Sequence, residues 1–172
     1  MYVSSFSTTW QDYPSPEDSA VVVFFAGCNH RCKGCHNVSL QSMEAGLLYT
    51  AARLYEELKQ RCRRERTNKV VLEGGDPLFW SNVDGVKWLL EINKELDICI
   101  YTGYTVQAVK LLKISGFTYL KCGKYVEEDA CLSGKTELGM SFASQNQRLY
   151  DSNFHLISSE NYYWWKKGEN NV

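Results

Sequence analysis

Three cysteines stand close together at Cys28, Cys32 and Cys35, in the run Gly27-Cys28-Asn29-His30-Arg31-Cys32-Lys33-Gly34-Cys35-His36-Asn37. Thiolates are soft ligands that suit iron–sulfur clusters and zinc. A C-x3-C-x2-C loop can bind three corners of a cubane and leave the fourth iron without a protein ligand, where a substrate can coordinate. The same thiolates joined by His30 or His36 would make a Cys3His zinc site. Zinc ligands usually come as two separated pairs, which this loop does not provide. A passive electron-transfer cluster normally takes four protein ligands, and the loop offers three. Gly27 and Gly34 remove side-chain bulk where the polypeptide must fold around a metal centre.

A second cluster of turn formers is Glu73-Gly74-Gly75-Asp76-Pro77-Leu78. Alone it is a tight turn. Cys62, Cys99, Cys122 and Cys131 are scattered singly and read as small buried apolar residues. Asp151 and His155 have the types of an acid/base pair, but no partner group nearby gives them a reaction, so they read as structural.

The elements that position these residues follow from hydrophobic patterning. Val21 to Gly27 is a β-branched and aromatic run that predicts a strand buried on both faces, with the cysteine loop directly after it. Thr50 caps a predicted helix to about Arg66, with Leu54, Leu58 and Cys62 recurring on one face. Lys69 to Leu72 predicts a strand ending at Gly74-Gly75. A helix over about 81–96 should bury Val83, Val86, Leu89, Leu90 and Trp88. A strand over 98–102, a helix over 106–114 and a strand over 118–121 complete the alternation. Strand–helix alternation favours parallel strands with right-handed crossovers. In such folds ligands bind beyond the C-terminal ends of strands. The cysteine loop and the glycine turn both leave such ends, on consecutive strands.

The protein has 172 residues, 44% hydrophobic and 23% charged, which suits one globular domain with a core over about 20–150 and a tail over about 151–172. A complete eight-fold barrel needs about 250 residues, so the expected fold class is α/β, an open partial barrel with mostly parallel strands. Net charge is −1, which gives no general attraction to nucleic acid or an anionic membrane. The basic run Arg61 to Arg66 reads as the end of a helix. No apolar run approaches the ~20 residues of a membrane span, and MYVSSFSTTW lacks a secretory pattern. Seven cysteines without a signal peptide point to ligands or free thiols in a reducing cytoplasm.

The cysteine loop and the Gly-Gly-Asp-Pro turn resemble those of the radical S-adenosylmethionine superfamily. More narrowly, the sequence resembles the anaerobic ribonucleoside-triphosphate reductase-activating proteins. The matching stretches, in family order, are GCNHRCKGCHN (27–37), GGDPL (74–78), YTGY (101–104), GKY (123–125) and SQNQR (144–148). It departs from the subfamily at His36, where Tyr is usual, and at Cys122-Gly123, where Asp-Gly is usual. The approach to the first strand, Pro14 to Asp18, also lacks the subfamily's glycine.

The resemblance implies one 4Fe–4S cluster on Cys28, Cys32 and Cys35, with S-adenosyl-L-methionine chelating the fourth iron. Gly74, Gly75, Asp76 and Pro77 would line its methionine end, and Gly34, Cys35, His36 and Asn37 would lie beside it. Tyr101 to Tyr104 would wall the adenine or ribose, or is an ordinary aromatic strand end. One electron would cleave the cofactor to methionine and a 5′-deoxyadenosyl radical, which would take a hydrogen atom from a glycine. The implied partners are the large catalytic subunit of the anaerobic reductase and a low-potential electron donor such as flavodoxin, with no role for nucleic acid or membrane. SQNQR and the aromatic tail from Glu160 would be docking surface. A small-molecule substrate is the alternative within the superfamily, and a structural zinc module the alternative outside it.

Overall fold

The computed structural model describes residues 1–15, 19–130, 140 and 142–157. Its centre is four parallel strands, β2 (Ala20–Phe25), β4 (Lys69–Gly74), β5 (Asp97–Thr102) and β6 (Tyr119–Cys122). Three further strands, β1 (Tyr2–Thr9), β3 (Leu47–Leu48) and β7 (Arg148–Asp151), add antiparallel flanks. The order across the sheet is β3-β1-β2-β4-β5-β6-β7. The sheet does not close on itself, so the expected open, mostly parallel α/β architecture holds. The antiparallel flanks are additions that the alternation did not predict.

Helices α1 (Ala51–Glu65), α2 (Val83–Ile92) and α3 (Val106–Leu111) cover one face. On α1, Thr50 accepts a hydrogen bond from the Arg53 N–H at 3.2 Å, and Leu54, Leu58 and Cys62 form the buried stripe. α2 buries Val83, Val86, Leu89 and Leu90, but Trp88 is 55% exposed, against expectation. Trp88 sits two residues from both Val86 and Leu90, which is the wrong side of a 3.6-residue helix. α2 also stops earlier than expected. Asn93 ends it by exchanging hydrogen bonds with Leu96: its Nδ2 donates to the Leu96 carbonyl at 2.7 Å, and the Leu96 N–H donates to its Oδ1 at 3.0 Å.

Strand alternation divides the parallel strands cleanly. Val21, Val23, Phe25, Val70, Leu72, Ile98, Ile100 and Leu120 face the helices in the main core. Val22, Phe24, Val71, Cys99, Tyr101 and Tyr119 face the opposite side, where Tyr13 from the β1–β2 connection plugs the concave face. Met140, Phe142 and Leu149 pack beside Tyr101 and Tyr119 there. Cys62, Cys99 and Cys122 are buried, as scattered small apolar residues should be. Cys131 and the tail from Glu160 lie outside the described residues. No helix among the described residues is long and apolar enough to cross a membrane.

Candidate functional site

The C-terminal ends of β2, β4, β5 and β6 surround an open cavity of about 160 Å³. Cys28, Cys32 and Cys35 line it together with His36, Asn37, Gly74 and Gly75. The loop after β2 and the turn after β4 therefore meet at one place. Backbone hydrogen bonds join them: Gly75 N–H donates to Phe25 O at 2.8 Å, and Asp76 N–H to Gly27 O at 2.9 Å. The Asn37 amide donates to Gly74 O at 3.2 Å.

The cysteine loop is held from both sides. Gly27 N–H donates to Leu40 O at 2.8 Å and Cys28 N–H to Gln41 O at 3.0 Å. Gly34 has φ +68°, and a Cβ there would stand 2.8 Å from Glu127 Oε1, so the bend between Cys32 and Cys35 needs glycine. Lys33 pairs with Glu127 at 2.9 Å, and His36 stacks on Tyr125 at 5.1 Å. Gly34 itself is exposed outside the cavity lining.

Asp76 and Pro77 are buried behind the wall rather than in it. The Asp76 carboxylate, fully buried, is consumed by the fold. It accepts from Leu78 N–H at 2.8 Å, Gly103 N–H at 2.9 Å and Thr102 Oγ1 at 3.0 Å, and contacts His30 Nε2 at 2.7 Å. One carboxylate thus ties the cysteine loop, the glycine turn and the end of β5 together. Below it, buried Asn82 donates to Ala26 O at 2.9 Å and Asp76 O at 3.2 Å and accepts from Tyr2 N–H at 2.8 Å. His30 and Asn82 were not singled out by sequence as braces. Their partners come from distant parts of the polypeptide, and no local pattern encodes that.

Three thiols facing one cavity supply a soft donor set. Burial pushes the Cys28 thiol up to about 11, with lesser contributions from Asp76 and the two other cysteines. A cationic metal centre reverses that preference and binds the thiolate. Among the described residues no three His, Cys, Asp or Glu side chains converge on a point one metal ion could fill. A cubane does not need such convergence, because its ligating sulfurs sit on separate irons. His30 Nε2 is tied to Asp76, and the His36 ring packs against Tyr125. The donor set fits a three-thiolate cluster.

Tyr101 lines the cavity, but its hydroxyl donates to the Asp12 carbonyl, while Tyr104 packs edge-on against His30 at 4.7 Å outside the lining. SQNQR, expected as docking surface, is divided: Ser144 and Gln147 are buried, Gln145 and Arg148 half-buried and Asn146 exposed. Gln147 donates to Gly123 O at 3.1 Å and Asn146 to Lys124 O at 2.9 Å, which braces the end of β6. Asp151 and His155 form a local surface pair at 3.2 Å. Glu73 and Lys121 also line the cavity and were missed. The available signal was strand alternation: each is the inward-facing residue just before a strand's end.

A family model described as a 4Fe–4S single cluster domain matches residues 18–150. The anaerobic ribonucleoside-triphosphate reductase-activating protein of Enterobacteria phage T4 is 31% identical over 150 residues, covering 82% of this sequence and 89% of the relative. Proteins of the same name from Vibrio cholerae and Escherichia coli are each 31% identical, over 118 and 116 residues. Those matches cover 63% and 62% of this sequence and 75% and 74% of the relatives.

Proposed function

Because the protein belongs to the 4Fe–4S single-cluster domains and to the anaerobic ribonucleoside-triphosphate reductase-activating proteins, we propose that it is a radical S-adenosylmethionine activase that generates a glycyl radical on an anaerobic ribonucleotide reductase. The observation that carries this reading is that Cys28, Cys32, Cys35, Gly74 and Gly75 line one open cavity. Cys28, Cys32 and Cys35 would hold the cluster. Gly74 and Gly75 would offer backbone groups to S-adenosylmethionine, with Cys35, His36 and Asn37 beside it. Gly34, Asp76 and Pro77 would serve by shaping the wall, since none of them reaches the cavity. When bound, cluster and cofactor supply a one-electron cleavage whose 5′-deoxyadenosyl radical can take a hydrogen atom from a glycine.

The reductase's large subunit is then the substrate, and the open sheet admits a loop of another protein. A low-potential donor such as flavodoxin would supply the electron, and the cytoplasm, where free thiols stay reduced, would be the compartment. The test is anaerobic reconstitution with iron and sulfide. The protein should bind about four irons per molecule and release 5′-deoxyadenosine when reduced with S-adenosylmethionine, and Cys32→Ala should do neither. One tightly held zinc with no cleavage would overturn the reading. Cleavage coupled to a metabolite but never to a reductase glycine would move it to a small-molecule enzyme.

A further inference from the structure

One residue below the cavity rim, three adjacent parallel strands each turn a side group to the same side. Tyr101 and Lys121 are paired in register, and Glu73 and Tyr101 each follow the Leu72–Ile100 pair. Glu73, Tyr101 and Lys121 therefore form a level row across β4, β5 and β6, and all three line the cavity. Two members of the row are already committed. The Tyr101 hydroxyl donates to the Asp12 carbonyl, and the buried Lys121 ammonium lies 4.1 Å from the centre of the Tyr101 ring and 5.2 Å from that of Phe142. Glu73 is not committed. Burial acts on it first, then the Asp12 charge, then the opposing Lys121 charge, and its carboxyl has no hydrogen bond among the described residues. Among the described residues that line the cavity, it is also the only carboxylate. A half-buried carboxyl facing a cavity without a donor is matched only when a ligand brings one.

Place and sign restrict that ligand. Glu73 stands directly before Gly74 and Gly75 on the same cavity wall. On the functional reading above, those glycines take the methionine end of S-adenosylmethionine. That end bears all the charge of the cofactor: a sulfonium and an ammonium against one carboxylate, a net positive group. A cation beside Glu73 supplies the missing partner and favours the ionised carboxyl that burial and Asp12 oppose. The thioether S-adenosylhomocysteine keeps the same amino-acid end and the same nucleoside but has no net charge to offer.

We propose that Glu73 is the counter-charge for the sulfonium end of S-adenosylmethionine, selecting the intact cation over the neutral thioether. This rests on the functional reading and adds a side chain that reads the charge of the cofactor, where the glycine turn offers only backbone groups.

The selection depends on pH. The groups around Glu73 are Asp12 from the β1–β2 connection, the Cys99 thiol and Tyr101 from β5, and Lys121 from β6, while its register partner on β2, Phe24, carries no charge. Burial keeps Cys99 and Tyr101 protonated. Glu73 itself is raised to about 7, so it ionises as pH rises through neutrality, and a bound cation should hold the proton off. Preference for the sulfonium should therefore grow with pH across that range. His30 and His36 line the same cavity, and a variant that retains both cancels their titration.

The test is equilibrium binding by calorimetry, without reductant, of S-adenosylmethionine and of S-adenosylhomocysteine to the cluster-loaded protein. Wild type should gain about fivefold in its preference for the sulfonium between about pH 6 and about pH 8. Glu73→Gln should lose about tenfold of that preference at the higher pH, the low end for a partly desolvated charge pair, and should show no gain with pH. Glu73→Met keeps the length of the side chain without the carboxyl and gives the same reading if Glu73→Gln fails to load its cluster. Equal losses for both compounds would mark a structural role and overturn the proposal, as would a preference that the substitutions leave unchanged. A cluster-loaded wild type that binds neither compound brings down the functional reading along with it, whereas normal wild-type binding with indifferent variants brings down this proposal alone.

Discussion

Replacing Asp76 with asparagine isolates the bond that fastens the cysteine loop to the sheet. Asparagine keeps one acceptor, which can still serve Leu78 N–H and Thr102. The other oxygen, which meets Gly103 N–H at 2.9 Å and His30 Nε2 at 2.7 Å, becomes an NH2 group facing donors. Leaving the Gly103 N–H unpaired costs about 1–3 kcal/mol, and losing a hydrogen bond to a charged acceptor costs about 1.5–3 kcal/mol. The two losses share one site and are not additive, so ~3 kcal/mol is the expected total. At about 2–4 °C per kcal/mol for a protein of this size, Tm should fall by about 6–12 °C. Calorimetry on the iron-free protein measures this without interference from metal binding. Because His30 lies between Cys28 and Cys32, iron bound after reconstitution should fall as well. A Tm within about 2 °C of wild type would refute the claim that this carboxylate organises the site. A large drop in Tm with full iron loading would confine its role to the sheet.

Three further outcomes follow from the same geometry. In Gly103→Ala the new Cβ would lie 2.4 Å from the His30 ring, so thermal unfolding should show a loss of about 1–3 kcal/mol, with less iron retained. In Asn82→Ala, three hydrogen bonds linking β1, the end of β2 and the glycine turn disappear, two of them buried, and urea unfolding should report a loss of about 2–4 kcal/mol. Burial first, and the Asp12 charge second, raise Glu73 from 4.5 to about 7. A carboxyl raised on folding contributes stability that is full below its unfolded pKa and lost as pH rises through the folded one. Wild-type stability should therefore decline by ~3 kcal/mol between about pH 4.5 and 7 relative to Glu73→Gln, and urea titrations of the two proteins showing parallel pH profiles would contradict this.

The parallel centre of the fold was legible because its signals are local. Val21–Phe25 and Ile98–Thr102 are continuous apolar runs, and Leu54, Leu58 and Cys62 mark a helix face by spacing alone. β1 was not legible, since in YVSSFSTT only Val3 is buried; Ser and Thr fill most of a strand that gains its identity from pairing with β2. β7 is four residues long and borrows its register from β6. The same division holds in the site. Cysteines and paired glycines announce their chemistry wherever they stand. The Asp76 hub and the Glu73–Tyr101–Lys121 row exist only once strands distant in sequence are laid side by side. SQNQR looked like surface because its residues are polar, yet Ser144 and Gln147 spend that polarity on the backbone of Gly123 and its neighbours.

Fold and site meet in the way negative charge is distributed around the rim. Asp76 concentrates one carboxylate where four donors converge. Cys122, at the end of β6, stands where the subfamily usually has aspartate. Its thiol is pushed up to about 12, first by burial and next by the Asp76 charge, so it stays neutral. An aspartate there would set a second carboxylate near that of Asp76, a pairing that raises one of the two pKa values. With cysteine at 122 and Asp76 fully engaged, the ends of β4, β5 and β6 present Gly74, Gly103 and Gly123 to the cavity. The three glycines offer a ligand backbone groups, and the thiols, His36, Lys124 and Gln147 offer side chains beside them.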